Sequence, residues 1–303
     1  MSEIIAICNQ KGGVGKTTTS VNLSACLAAA EKKTLLVDLD PQANATTGVG
    51  CNKNTINSSI YQSLIGDTPI QEVVSKTAML FLDLAPSQND LVGAELELAG
   101  LVSRETYLQK CLAPVAENYN YIVIDCPPSL GLLTLNALTA AHSVLIPVQC
   151  EYYAMEGLAN LKQTIGIVQQ RFNPGLKIKG IVLTMFDSRN NLSHQVAEEL
   201  RKYFSQFVFQ VVIPRNVRLS EAPSHGKPII LYDVKSTGAE AYFDLAKEIL
   251  AKEVLYDTTQ SPRAGVGSAP EYRRGGAGEQ RGGPDPLQHG AGHAAGSSGN
   301  RSD

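Results

Sequence analysis

Ile4-Ile5-Ala6-Ile7-Cys8-Asn9-Gln10-Lys11-Gly12-Gly13-Val14-Gly15-Lys16-Thr17-Thr18 is the stretch that decides the fold. Its four leading apolar residues read as a strand buried on both faces, and a segment of helical length, 17–30, follows the glycines. Glycines at 12, 13 and 15 permit a tight loop whose backbone N–H groups converge on a phosphate, backed by the positive end of the following helix. Within it Lys16 reaches for terminal phosphates and Thr17 offers its hydroxyl to Mg²⁺. The residues from Lys11 through Gly12, Gly13, Val14, Gly15, Lys16 and Thr17 to Thr18 are therefore the candidate nucleotide-binding loop. Seven fixed positions make a chance match in a chain of this length an event on the order of 10⁻⁶.

Outward from the loop, short apolar runs alternate with longer amphipathic segments. Runs at 35–37, 80–82, 121–124, 144–146, 181–183 and 207–213 read as further strands, and 87–99, 154–172 and 192–204 as helices. Such alternation implies right-handed crossovers and a parallel sheet. The expected fold is α/β: a single P-loop NTPase domain over residues 1–257, its mostly parallel sheet covered by helices on both faces. A last helix is expected from Lys235 to about Val254, with Thr237-Gly-Ala-Glu240 as a capping box and Tyr242, Leu245 and Ile249 on one face. Ligands of such sheets gather at the carboxyl ends of the strands, so the motifs should follow the apolar runs.

Composition changes near residue 257. Residues 258–303 hold 11 Gly, 4 Pro and 5 Ser, with only Val266, Tyr272 and Leu287 as sizeable apolar side chains, a content that predicts a disordered tail. The tail carries five of the 26 basic and four of the 29 acidic residues, which leaves a core of net charge −4. Any nucleic-acid binding must then come from a local basic patch, because the net field opposes it. The six cysteines are scattered with no C-x-x-C pair, a pattern of reduced thiols packed as small apolar residues. No run of about 18 apolar residues predicts a spanning helix, and the N-terminus lacks the basic segment of a secretory signal. A cytoplasmic location is expected.

Two further strand ends carry carboxylates. In Leu35-Leu36-Val37-Asp38-Leu39-Asp40, residues i and i+2 of a strand end point the same way. Both then face a nucleotide, one on the metal's water shell and one on the attacking water; Asp38 alternatively caps the strand end. Tyr121-Ile122-Val123-Ile124-Asp125 ends four apolar residues in an acid, which suits a water-mediated hold on Mg²⁺ beside Thr17. Pro127-Pro128-Ser129-Leu130-Gly131 follows as a rigid turn suited to sensing a γ-phosphate.

The loop departs from the strict P-loop in having Gln10 where glycine is usual, and Lys11 precedes the glycines. In this form it resembles the deviant-Walker-A ATPases, the group of ParA/Soj partitioning proteins, MinD-type proteins, arsenite-pump ATPases and nitrogenase iron protein. That resemblance implies that Lys11 is a signature lysine reaching across a nucleotide-sandwich homodimer to the partner's phosphates, a role like an arginine finger. It also implies that Asp40, in Asp38-Leu39-Asp40-Pro41-Gln42-Ala43-Asn44-Ala45-Thr46, is the aspartate tied to hydrolysis in a switch I segment. Lys11, Lys16 and Asp40 are thus the candidate catalytic residues, with Thr17, Asp125 and Asp38 as candidate metal residues.

Leu183-Thr184-Met185-Phe186-Asp187-Ser188-Arg189 and Ile213-Pro214-Arg215-Asn216-Val217-Arg218-Leu219 are similar to the chromosomal ParA/Soj subgroup, a similarity that covers about residues 2–252. It implies that Pro214 and Asn216 contact the adenine, and that Arg189 and Arg218, helped by Arg215, contact DNA phosphates. It further implies an ATP- and Mg²⁺-dependent dimer that binds duplex DNA, and a ParB-type centromere-binding partner that stimulates hydrolysis. With strand one beginning at Glu3, sequence-neutral binding on the nucleoid is the expectation. The alternative is a MinD-type membrane-associated positioning ATPase. The mixed charges on the last helix's polar face favour docking on the core over stable membrane association. No cysteine spacing supports the cluster of an iron protein.

Overall fold

The computed structural model describes residues 2–260; of the expected tail, 258–303, residues 258–260 close the last helix and the rest lies outside the described residues. The chain begins β1 (Glu3–Ile7), α1 (Lys16–Ala29), β2 (Thr34–Asp38), α2 (Asn44–Gly48), α3 (Ile60–Ile65), α4 (Ile70–Val73), β3 (Ser75–Lys76) and β4 (Leu82–Ala85). It continues with α5 (Leu91–Ala99), α6 (Tyr107–Ala116), β5 (Tyr121–Asp125), α7 (Leu132–Ala140), β6 (Ser143–Gln149) and α8 (Ala154–Arg171). The last third holds β7 (Lys177–Phe186), α9 (Asn191–Tyr203), β8 (Val208–Pro214), α10 (Val217–Glu221), α11 (Ile229–Tyr232) and α12 (Thr237–Gln260).

The strands form one sheet in the order β3-β4-β2-β5-β1-β6-β7-β8, parallel except for the short antiparallel β3 at one edge. This is the expected fold class. The period-two alternation of β1 explains the layering: Ile4, Ala6 and Cys8 enter the core under α5 to α9, while Ile5 and Ile7 enter the one under α1 and α12. Both faces are covered, so the strand is apolar from Ile4 onward. Burying one such isoleucine contributes about 1.5–3 kcal/mol. On α12, Tyr242, Leu245 and Ile249 are all buried, and the Tyr242 phenol meets the Thr19 hydroxyl of α1 at 3.2 Å. That contact docks the last helix on the core.

Three expectations need correction. The fourth strand starts at Leu82 rather than Leu80, because Phe81 adopts φ 66° in a turn and Leu80 is exposed. The cap of α12 is Ser236, whose Oγ accepts the Ala239 N–H at 3.2 Å; Thr237 is the first helical residue and accepts instead from Asn216 Nδ2 at 2.8 Å. The helix also runs to Gln260, past Val254. Helices α3, α6 and α7 went unread in the sequence, although α3 opens with a Ser59/Gln62 capping box. Their apolar faces are short and merge with neighbouring runs.

β1 is flanked by β5 and β6, and the chain passes to one side of it before returning to the other. The loop after β1 therefore opens where the strand order reverses, the usual place for a ligand in such a sheet.

Candidate functional site

The loop between Cys8 and Gly15 is shaped by two left-handed residues, Gly13 at φ 75° and Gly15 at φ 86°. A side chain at either position would be strained. Its base is pinned twice: Asn9 Nδ2 donates to the Pro147 carbonyl at 2.7 Å, and Thr184 Oγ1 donates to the Val14 carbonyl at 2.8 Å. Lys16 opens α1, is buried, and donates its Nζ to the Lys11 carbonyl at 3.1 Å. Burial lowers its pKa from the ordinary lysine value, an effect partly offset by the charge of Asp125.

Asp38 and Asp125 are register partners on β2 and β5. Their surroundings differ. Asp38 Oδ2 accepts both the N–H and the hydroxyl of Thr46, each at 2.7 Å, and Oδ1 accepts the Asp40 N–H at 3.2 Å. It ties down the loop that carries Asp40. Asp125 Oδ1 accepts the Ser20 hydroxyl at 2.8 Å; its buried Oδ2 makes no hydrogen bond of ordinary geometry, and the Thr17 hydroxyl is near enough to lower the Asp125 pKa. Burial raises both carboxyls, Asp38 to about 6 and Asp125 to about 8, the latter raised further by the charge of Asp38. An unsatisfied buried carboxylate oxygen beside Thr17 fits a hydrated divalent cation, which supplies the missing positive field.

Asp40 is buried, with Oδ1 accepting the Gln42 N–H at 2.9 Å and its carbonyl accepting the Ser87 hydroxyl at 2.8 Å. Lys11 is half-exposed and ion-paired with Glu151, just beyond β6. Sequence reasoning missed Ser20, Ser87 and Glu151. Only Glu151 had a signal, as an acid following an apolar strand on the loop's own side of the sheet.

A cavity of about 330 Å³ lies beside Gly15 and Thr18, lined by Pro214, Arg215, Asn216 and Tyr242 among others. Pro214 and Asn216 thus sit within one pocket with the phosphate loop. The Asn216 side chain caps α10, with Oδ1 accepting the Leu219 N–H at 3.2 Å. Two of the three arginines are neighbours, and Arg218 lies on α10. Phe186 and Pro214 are register partners, which sets Arg189 and Arg215 at adjoining strand ends, and the charges of both bear on Asp187. Arg189 holds Asp187 through Nε and Nη2, both at 3.0 Å, and Arg218 bonds Glu221 at 2.9 Å and approaches Asp233 at 3.4 Å.

A family profile described as an AAA domain matches residues 2–178. The "Sporulation initiation inhibitor protein Soj" of Bacillus subtilis is 59% identical over 83% of this chain and 99% of its own length. The chain belongs to the ParA/Soj family. A second member, the "Chromosome partitioning protein ParA" of Myxococcus xanthus, is 58% identical over 88% of this chain and 93% of its own. Among solved structures, a cobyrinic acid a,c-diamide synthase from Mycobacterium smegmatis with bound ADP and magnesium is similar at 37% identity, covering 84% of this chain and 96% of that one, with a TM-score of 0.74. The ParA/Soj relatives resemble this chain more closely in sequence over a similar share of its length. No helix among the described residues is long and apolar enough to cross a membrane.

Proposed function

We propose that this ParA/Soj-family chain is an ATP-gated dimerising switch that binds duplex DNA without sequence preference and hydrolyses ATP in partitioning, together with a ParB-type partner. The observation that carries the reading is the convergence of Lys16, Thr17 and the unsatisfied Asp125 carboxylate on one glycine loop. Lys16 and the loop N–H groups hold phosphates, and Thr17 and Asp125 hold Mg²⁺, which neutralises phosphate charge. A structural relative that carries ADP and magnesium supports that choice. Asp40, held at the end of β2, positions water for hydrolysis, and Pro214 and Asn216 border the adenine.

Lys11 then acts in trans. It leaves Glu151 and reaches the partner's phosphates, so catalysis requires the homodimer. Arg189, Arg215 and Arg218 supply phosphate contacts to DNA, a local patch on an otherwise acidic core. The protein works in the cytoplasm, on the nucleoid.

The test is binding of nonspecific duplex DNA by an Asp40→Ala variant, with ATP and with ADP, across a salt series. ATP-dependent binding that weakens steeply with salt is expected. An ATP-closed dimer without DNA affinity would move the function to another client.

A further inference from the structure

A second cavity, of about 440 Å³, lies beside the nucleotide loop and next to the one that Pro214 and Asn216 line. Its walls are the first turns of α1, at Thr18 and Val21, the helix α2, at Asn44 and Thr47, and the segment after α10, at Pro223 and Lys227. Small-molecule sites have volumes of about 300–1,000 Å³, so the space suits a ligand group. The walls are held by bonds of their own. Asn22 on α1 accepts the Ile229 N–H of α11 at 2.7 Å, and the Lys227 N–H donates to the Ala222 carbonyl at 3.3 Å. Just beyond α2, Gly50 at φ 90° approaches Gly226 so closely that a Cβ on it would lie 2.9 Å from the Gly226 carbonyl oxygen. The cavity is therefore formed before any ligand arrives.

No carboxylate lines it, and its one cation is Lys227. Thr47 and Ser224 spend their hydroxyls on carbonyls of their own turns. Among the described residues, the side chains of Thr18, Asn44 and Lys227 meet no hydrogen-bond or ion-pair partner. An ammonium, an amide and a hydroxyl around a site without acids suit a phosphate group. The two cavities share Thr18 and Pro223. In the proposed function the phosphates lie on the loop that ends at Thr18 and the adenine borders Pro214 and Asn216, so the sugar joining them passes this common wall. A group on the sugar's 2′- or 3′-oxygen then has the second cavity open to it.

We infer that this cavity is a subsite for a phosphate carried on the ribose, so that the chain prefers adenine nucleotides phosphorylated at the 2′- or 3′-oxygen over the plain nucleotide, with Lys227 holding the added phosphate beside Thr18 and Asn44. The inference rests on the proposed nucleotide site and adds a ligand class to it. A 5′-diphosphate of this class takes the ATP site without a γ-phosphate and so holds the chain out of its ATP-closed state.

The test is calorimetric titration of the full chain, in Mg²⁺, with ADP, 2′-phospho-ADP and 3′-phospho-ADP, repeated on Lys227→Ala. Lys227 is exposed, and the ADP affinity of the variant reports that it folds. One phosphorylated form should bind the wild type about fivefold or more tighter than ADP, and that ratio should fall below about twofold in Lys227→Ala. Absence of a gain with either form in the wild type overturns the inference, as does a gain that survives Lys227→Ala. An equal rise in ADP affinity on adding free inorganic phosphate would make the occupant a separate anion and would overturn it as well. Absence of ADP binding by the wild type would instead sink the nucleotide site on which the inference rests.

Discussion

Asp38 and Asp125 face each other across neighbouring parallel strands, yet one carboxylate is fully hydrogen-bonded and the other keeps a buried oxygen with no hydrogen bond of ordinary geometry. The pair shares one low-dielectric site in which both carboxyls hold protons more tightly than in the unfolded chain.

A pH dependence of the nucleotide-free protein follows. Folded-state values of about 6 and about 8 lie above the unfolded carboxylate range, so the folded chain binds protons that the unfolded chain has lost. Stability contributed by these protons is complete below the unfolded value and is lost as pH rises through the folded ones. Between pH 6.5 and 8.5 the free protein should lose about 1–2 kcal/mol, mostly through Asp125. Thermal melts should show this drop, Asp125→Asn should flatten it, and Mg²⁺ with ADP should shrink it. A flat profile for the free wild type would place the Asp125 proton elsewhere.

Glu151 is ion-paired with Lys11, and under the proposed role in trans that lysine would have to leave it first. The pair is half-exposed, so it is worth about 0–1 kcal/mol. Glu151→Gln should therefore lower the ATP concentration at half-maximal dimerisation by up to about fivefold, read by light scattering across an ATP titration. A variant that needs more ATP than wild type would show that Glu151 supports the closed dimer instead.

Arg189 and Arg218 are each bonded to a carboxylate, Asp187 and Glu221, so under the proposed DNA-binding role phosphates would displace an existing partner. Asp187→Asn and Glu221→Gln should each raise affinity for nonspecific duplex DNA in the ATP state. Arg218→Ala should weaken it and reduce the salt slope by about one. Unchanged affinity in all three would remove these arginines from the DNA surface.

The site was legible in the sequence where chemistry and element end coincide. Asp125 follows an apolar run directly, Lys16 and Thr17 follow one across the glycine loop, and the structure brings them together. What stayed hidden depends on tertiary neighbours. Ser87 lies 47 positions from the Asp40 it braces, Glu151 lies 140 from Lys11, and no local period records either meeting. The ion pairs of Arg189 and Arg218 were equally illegible in detail, since a basic residue in a loop reads the same whether it is solvated or paired. The capping motif of α12 failed for a local reason: Ser236 and Thr237 both suit a helix entry, and the Asn216 amide claims the second.

Gly131 and Glu95 offer a test of how tightly α5 is joined to the turn after Asp125. Gly131 sits in extended backbone at φ −74°, which any residue adopts, so alanine meets no strain in the main chain. Its Cβ would, however, collide with the Glu95 carboxylate. That carboxylate is the movable end of a side chain, and its retreat is the cheapest relief. The cost is the bond to the Leu133 N–H at 3.2 Å, which leaves the first turn of α7 short of an acceptor and of a favourable charge at its positive end. Gly131→Ala and Glu95→Ala should each destabilise by about 1 kcal/mol in urea melts. Because both remove the same contact, the double variant should cost little more than either single one, a coupling of similar size and opposite sign. Additive losses would mean that alanine at 131 disturbs the turn itself, and that α5 and the Asp125 loop move independently.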